Sequence, residues 1–113
     1  MKIILKGNPK SNNHIYRNHG HIRYMTQDGK ALKESYQLQA KSQVERKWLP
    51  TPNDLGIQID LFFGDQRKRD IDNYCKILLD SLSGLIWIDD NQITCMAITK
   101  QIDKVDPRIE ITI

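Results

Sequence analysis

Apolar and polar residues alternate, imperfectly, from Gly56 to Phe63, which sets Ile57, Ile59, Leu61 and Phe63 on one face and predicts a strand. Residues 72–83 carry a helical period instead. Ile71, Cys75, Leu78, Leu79 and Leu82 fall at steps of four, three, one and three, and Gly84 stands where a helix-ending glycine belongs. A second helix is expected from Asp28 or Gly29 to about Trp48. Its loose apolar stripe is Ala31, Leu32, Tyr36, Leu38, Ala40, Val44 and Trp48, and the breaker cluster Leu49-Pro50-Thr51-Pro52-Asn53-Asp54 ends it. Lys2 to Leu5 reads as a short strand closed by Gly7-Asn8-Pro9. Lys10 to Gly29 is polar, a long connection or a loose hairpin with a small strand at Ile22 to Thr26. Leu85 to Ile88 is a short apolar segment that ends in the turn Asp89-Asp90-Asn91. Ile93 to Thr99 and Arg108 to Ile113 are expected as closing strands. No repeat, linker or low-complexity tract interrupts the chain, so the expected fold is one small α+β domain, a mixed β-sheet packed by two main helices.

Composition narrows the class. At 113 residues and 13.2 kDa the chain is one domain's length, and burial stays incomplete enough that a partner subunit would help. Apolar residues at 39% and charged residues at 27% argue against wholesale disorder. No window nears the run of about 18 apolar residues that a membrane span needs, and the apolar N-terminal stretch is too short for a signal peptide. Cys75 and Cys95 make a poor disulfide framework; they read as reduced core thiols of a cytoplasmic protein. The charge is divided. Residues 1–50 hold ten Lys/Arg against three acids, a balance of +7, and residues 51–113 hold seven against eleven, a balance of −4. A basic half fits a polyanion such as nucleic acid, although a lysine-rich surface alone is common.

Candidate chemistry lies in Arg67-Lys68-Arg69-Asp70-Ile71-Asp72-Asn73, with Lys76, Asp80 and Asp89-Asp90 following. In extended or turn backbone, side chains at i and i+2 share a side, so Asp70 and Asp72 can share one ion. Asp72 also suits the N-cap of the helix, the plain structural reading. Asp72, Lys76 and Asp80 form a polar row one turn apart. If Leu85 to Ile88 lies beside the strand 57–63, Asp90 approaches Asp70 and Asp72. Three carboxylates with a lysine, beside a basic loop, suit Mg²⁺-dependent phosphodiester hydrolysis, since Mg²⁺ takes a few carboxylates, waters and phosphate oxygens. Arg67, Lys68 and Arg69 would hold the strand against an otherwise repulsive acidic site. An EF-hand beginning at Asp70 fails, with Cys75 and Ser81 where glycine and glutamate are required. His14, His19 and His21 lack a fourth zinc ligand and the usual spacing. No phosphate-binding glycine loop, nucleophile elbow or dinucleotide fingerprint occurs.

Taken together, these residues resemble the RusA family of Holliday junction resolvases, found in bacteria and their prophages. Arg69-Asp70-Ile71-Asp72-Asn73 with Lys76 and Asp80 is similar to the family's basic run, Asp-x-Asp-Asn and helix. Ile86-Trp87-Ile88-Asp89-Asp90-Asn91-Gln92-Ile93 resembles its aromatic-apolar-Asp-Asp segment, and Pro9-Lys10-Ser11-Asn12-Asn13-His14-Ile15-Tyr16-Arg17 its Pro-rich Ser-Asn-Asn segment. Lys10 replaces a frequent second proline, and Gln66 shortens the basic run. The resemblance spans nearly the whole chain and makes residues 1–113 one RusA-like endodeoxyribonuclease domain.

What the resemblance implies is a homodimer that binds a four-way DNA junction and nicks two opposed strands in DNA recombination and repair. The reaction would use Mg²⁺, with Mn²⁺ as a substitute, and no organic cofactor. Asp70, Asp72 and Asp90 would be the metal-binding catalytic carboxylates and Lys76 the catalytic lysine. Arg69 would contact DNA, as would Arg67, Lys68, Asn13 and Arg17. Asp89 serves either the site's surroundings or only its turn, Asp80 either pairs with Lys76 or is an exposed helix acid, and Trp48 and Trp87 fit core or interface. Rival readings are a nuclease of broader flap or fork specificity, a non-catalytic branched-DNA-binding protein, and a small-molecule phosphohydrolase.

Overall fold

The computed structural model describes residues 1–113. In chain order the elements are β1 (Lys2–Lys6), α1 (Asn12–Ile15), β2 (Tyr16–His19), β3 (Ile22–Met25), α2 (Gln27–Gln43), β4 (Leu55–Phe63), a 3₁₀ turn (Ile71–Tyr74), α3 (Lys76–Leu82), a second 3₁₀ turn (Asp90–Gln92), β5 (Ile93–Ile102) and β6 (Arg108–Thr112). The alternation that predicts β4 works as a core-forming pattern: Ile57, Ile59, Leu61 and Phe63 are all buried. β6 pairs antiparallel and β5 parallel with β4, and β1 joins β6, giving the mixed order β1-β6-β4-β5. Register carries the buried face across the sheet. Ile59 stands opposite Ile111 and Leu61 opposite Ile109, and these stand opposite Ile3 and Leu5. Tyr36 and Ala40 of α2 with Ile77, Leu78 and Leu82 of α3 complete one core over that face. The fold is thus α+β, with two main helices on a mixed sheet.

Each sheet edge is treated differently. Along β1, the α2 side chains Gln43 and Gln39 stand in for a missing strand. Gln43 accepts from the Ile4 N–H at 2.8 Å and donates to the Ile4 carbonyl at 2.6 Å, and Gln39 accepts from the Lys6 N–H at 2.8 Å. β5 has no such cover. Its residues Met96 and Ile102 continue the core face beside Ile57 and Phe63 but remain 41% and 50% exposed. Its other face meets solvent, so Cys95, expected in the core, is exposed, while Cys75 is buried as expected.

Three further expectations change. α2 ends at Gln43 rather than near Trp48, because Val44 turns extended. Glu45-Arg46-Lys47 offers no apolar face to continue the helix, and the break lets both Val44 and Trp48 pack against the core. The helix expected over 72–83 divides into the 3₁₀ turn and α3. The tight turn seats Tyr74 edge-on against Phe63, with ring centroids 5.1 Å apart. Leu85 to Ile88 does not lie beside β4; Trp87 instead bridges to Thr51 and Ser83.

The polar stretch after Lys10 folds as α1 and the β2–β3 hairpin, held to the start of α2 by Thr26. Its N–H donates to the Ile15 carbonyl at 2.7 Å, and its hydroxyl donates to the His14 carbonyl and accepts from the Gly29 N–H, both at 3.0 Å. The approach is close enough that a Cβ on Gly29 would stand 2.7 Å from the Ile15 carbonyl oxygen. Gly29→Ala is therefore expected to destabilise the fold by about 1–3 kcal/mol, read as a lower urea midpoint with unchanged slope.

Candidate active site and flanking basic clefts

Asp70 and Asp72 emerge where β4 has ended and α3 has not begun. Asp70 occupies the N-cap position of the 3₁₀ turn, but its side chain makes no capping hydrogen bond, and Asp72 lies inside that turn rather than at a helix cap. Both carboxylates are exposed. Neither takes part in any of the seven ion pairs. The neighbouring cations are engaged elsewhere. Arg69 pairs with Asp65 at 2.8 Å and stacks over the Phe63 ring at 4.2 Å, leaving only 13% of its side chain exposed. Lys76 pairs with Asp80 at 3.3 Å. Two exposed carboxylates without a protein cation fit one hydrated Mg²⁺, which commonly takes one or two carboxylates and keeps several waters.

Asp90 sits at the other end of α3. Its Oδ1 accepts from the hydroxyl of Ser83, which caps that helix end, and from the Trp87 indole N–H at 3.1 Å; Oδ2 makes no protein hydrogen bond. Since Asp70 and Asp72 precede the helix, about 10 Å of α3 intervenes. Within one chain, no three His, Cys, Asp or Glu side chains converge as a metal-holding group. The expected approach of Asp90 to Asp70 and Asp72 fails with its premise, because Leu85 to Ile88 does not join β4. Asp89 belongs to the turn: with Gln92 it closes a capping box around Asp90–Gln92. Asp80 is a partner of Lys76 and also accepts from the Tyr16 hydroxyl. Burial and that bond raise the Tyr16 hydroxyl well above its usual range. Ser83 and Tyr16 are contacts that sequence reading missed, since no local spacing joins Tyr16 to a helix 64 residues away.

Besides a cleft of about 250 Å³ walled by Arg67, Lys68, Arg69 and Lys100, the basic residues line two adjoining clefts that include the N-terminal segment. One, of about 300 Å³, is walled by Asn8, Lys10, Ser11, His14, Arg67 and Lys68. The other, of about 430 Å³, is walled by Lys10, His14, Arg17, Thr26 and Asp28, so Lys10 and His14 border both. Arg67 is 83% exposed, unlike Arg69, which is folded onto its own loop. Asn13 is exposed on α1 and borders neither cleft.

The family model described as Endodeoxyribonuclease RusA matches residues 6–113. The chain belongs to the RusA family. Crossover junction endodeoxyribonuclease RusA of Escherichia coli K12 is 29% identical over 106 residues, covering 93% of this chain and 87% of that protein. The proteins of that name from Shigella sonnei Ss046 and Enterobacteria phage 82 match to the same extent. The resemblance drawn from three short motifs therefore holds along the chain, and this RusA-family protein is an enzyme of the endodeoxyribonuclease class.

The loop carrying Arg69 is clipped by Asp65. The Arg67 backbone N–H and then the Arg69 guanidinium hold the Asp65 carboxyl below its usual range. A depressed carboxylate favours the folded loop above its unfolded pKa, and that contribution is lost as pH falls through the folded value. An NMR titration should place the Asp65 midpoint below the ordinary aspartate value of about 3.9, with Arg69→Ala moving it part of the way back.

Proposed function

We propose that this chain resolves Holliday junctions by paired, symmetric nicks, as a Mg²⁺-dependent homodimer serving DNA recombination and repair in a bacterial or phage-infected cytoplasm. The observation that carries the reading is the unpartnered pair Asp70 and Asp72, beside cations already committed to Asp65 and Asp80. The names of the relatives, crossover junction endodeoxyribonucleases, supply the substrate class. On this reading Asp70 and Asp72 hold the metal, with Mn²⁺ able to replace it, and Asp90 offers its free Oδ2 as the third carboxylate. Bound Mg²⁺ would supply neutralisation of phosphate charge and a more acidic water. Lys76 presents an ammonium to the charge that develops on the scissile phosphate. Arg67, Lys68 and Arg17 take the DNA backbone along the two clefts, and Asn13 borders that path on α1. Arg69 acts mainly by shaping the loop, with its remaining exposed edge turned to DNA.

A two-fold dimer suits a junction because related sites address two symmetric strands. The uncovered β5 edge, with Met96 and Ile102 half exposed, offers a second copy a surface that β1 does not. A dimer also accounts for the third carboxylate, since a second chain's Asp90 can stand by Asp70 and Asp72 where the chain's own does not.

With an end-labelled four-way junction, a fork and a linear duplex, metal-dependent paired nicks are expected on the junction alone. Asp70→Asn should abolish cutting while keeping or strengthening binding, because it removes charge repulsion from a phosphate site. Tight binding without incision in Mg²⁺ or Mn²⁺ would leave a DNA-binding protein, and equal cutting of forks a broader nuclease.

Mixing inactive Asp70→Asn and Asp90→Asn proteins tests the shared site. If the carboxylates come from two chains, each heterodimer regains one intact site and nicks one strand per junction. If each site lies within one chain, the mixture stays inactive.

A further inference from the structure

Lys76 is held by more than its helical neighbour. A lysine followed four residues later by an acid is the weaker order for a helical ion pair, and 44% of the Lys76 side chain is exposed. Left to Asp80 alone, a four-carbon stem would sample many positions. Tyr16 removes that freedom from both sides. Its hydroxyl donates to Asp80 Oδ2, the oxygen that faces the Lys76 ammonium, and its ring lies 5.2 Å from Lys76 Nζ. Arg23 lies 4.8 Å from the same ring, so the tyrosine is itself pinned within its hairpin. The hairpin is in turn tied to α2 through Thr26.

We propose that Tyr16 is a positioning residue for Lys76, acting through Asp80, an inference that rests on the assignment of Lys76 to the reaction site. The phenol fixes one rotamer of the Asp80 carboxylate, the carboxylate fixes the ammonium, and the ring provides a face over which the ammonium sits. A phenol hydroxyl stays protonated, and so remains a donor, throughout neutral pH. The β2–β3 hairpin thereby belongs to the reaction machinery although none of its residues needs to reach the scissile phosphate.

The test is single-turnover cutting of a preassembled protein–junction complex, run beside binding, thermal unfolding and the NMR order parameter of the Lys76 Cε. Tyr16→Phe keeps the ring and loses the donor. The expected result is a rate constant about 10-fold lower, within the range typical for outer groups that orient a functional side chain. Kd should be unchanged, Tm lowered by only a few degrees so that the variant is fully folded in the assay, and the Lys76 order parameter reduced. Asp80→Asn should lower the same order parameter. In a Lys76→Met background, Tyr16→Phe should slow cutting no further. An unchanged rate and order parameter in Tyr16→Phe, or a loss that persists undiminished in the Lys76→Met background, would overturn the proposal and leave Tyr16 as a latch for the hairpin. Full-rate cutting by Lys76→Met would instead remove the underlying assignment of the lysine. Should Lys76→Met cut too slowly to measure, the order parameter decides between the two roles.

Discussion

The indole of Trp87 must be buried and its N–H must be bonded, and much of the site follows from that pair of demands. Trp87 is the largest fully buried side chain, at 0% exposure. An unsatisfied N–H there would cost about 1–3 kcal/mol. Ser83 and Asp90 both accept from it, which draws the end of α3 and the second 3₁₀ turn together and gives Asp90 a fixed orientation. Gln92 secures the same corner. Its amide donates to the carbonyls of Thr51 and Asn53 at 2.7 and 2.8 Å, and its oxygen accepts from the N–H groups of Ile88 and Asp89. β5 thus begins beside the start of β4, which is what makes that pair parallel. The corner built around one buried indole, with Gln92 closing it, thus sets both a sheet direction and the aim of a carboxylate.

The unequal charge of the two halves of the sequence becomes an arrangement in space. The basic first half contributes Lys10, His14 and Arg17 to the clefts, and the second half contributes the acidic groups around α3. They meet where Asn8 accepts from the Gly64 N–H at 2.9 Å, at the root of the loop bearing Arg67 to Asp70. This contact matters because an acidic site repels a phosphodiester strand unless cations sit close by. A wall shared by the N-terminal segment and the 64–70 loop supplies them without placing a cation on Asp70 or Asp72.

How much of this was legible depended on whether the cause was local. Period-two burial in β4 and the apolar stripe of α3 are local and were readable, as was Gly84, whose φ of +82° is the left-handed turn a helix end uses. Ile77 lies outside the stripe yet is buried, because with Leu78, Ser81 and Leu82 it forms one wide buried face of α3. Cys95 differs from expectation because it pairs with Gly56 on the face of the sheet that meets solvent, and the short apolar run around it does not say which face is covered. The reach of α2 falls short of the sequence pattern because Trp48 fits a helical step yet packs as well from the Glu45–Trp48 turn that follows extended Val44. Asp70, Asp72 and Lys76 were readable as types at a spacing. The engagement of Arg69 with Asp65, the orientation of Asp90 and the Tyr16–Asp80 bond depend on tertiary packing, which no spacing records.

Arg69 shows why adjacency in sequence misleads about electrostatics. It precedes Asp70 directly, and the simplest reading pairs the two or sends the arginine to DNA. Its guanidinium instead folds back over Phe63 onto Asp65, while the Lys100 ammonium donates to the Arg69 carbonyl at 2.7 Å and fixes the backbone at that point. A planar guanidinium suits this role, since it stacks on an aromatic face and satisfies several acceptors at once. Had Arg69 closed on Asp70, the local charge would be neutral and a divalent cation would have to displace an arginine. Held away, it leaves Asp70 and Asp72 exposed and without a protein cation. The same residue thus orders the loop and preserves the negative potential beside it, so its loss should disturb the acidic site as well as any contact with phosphate.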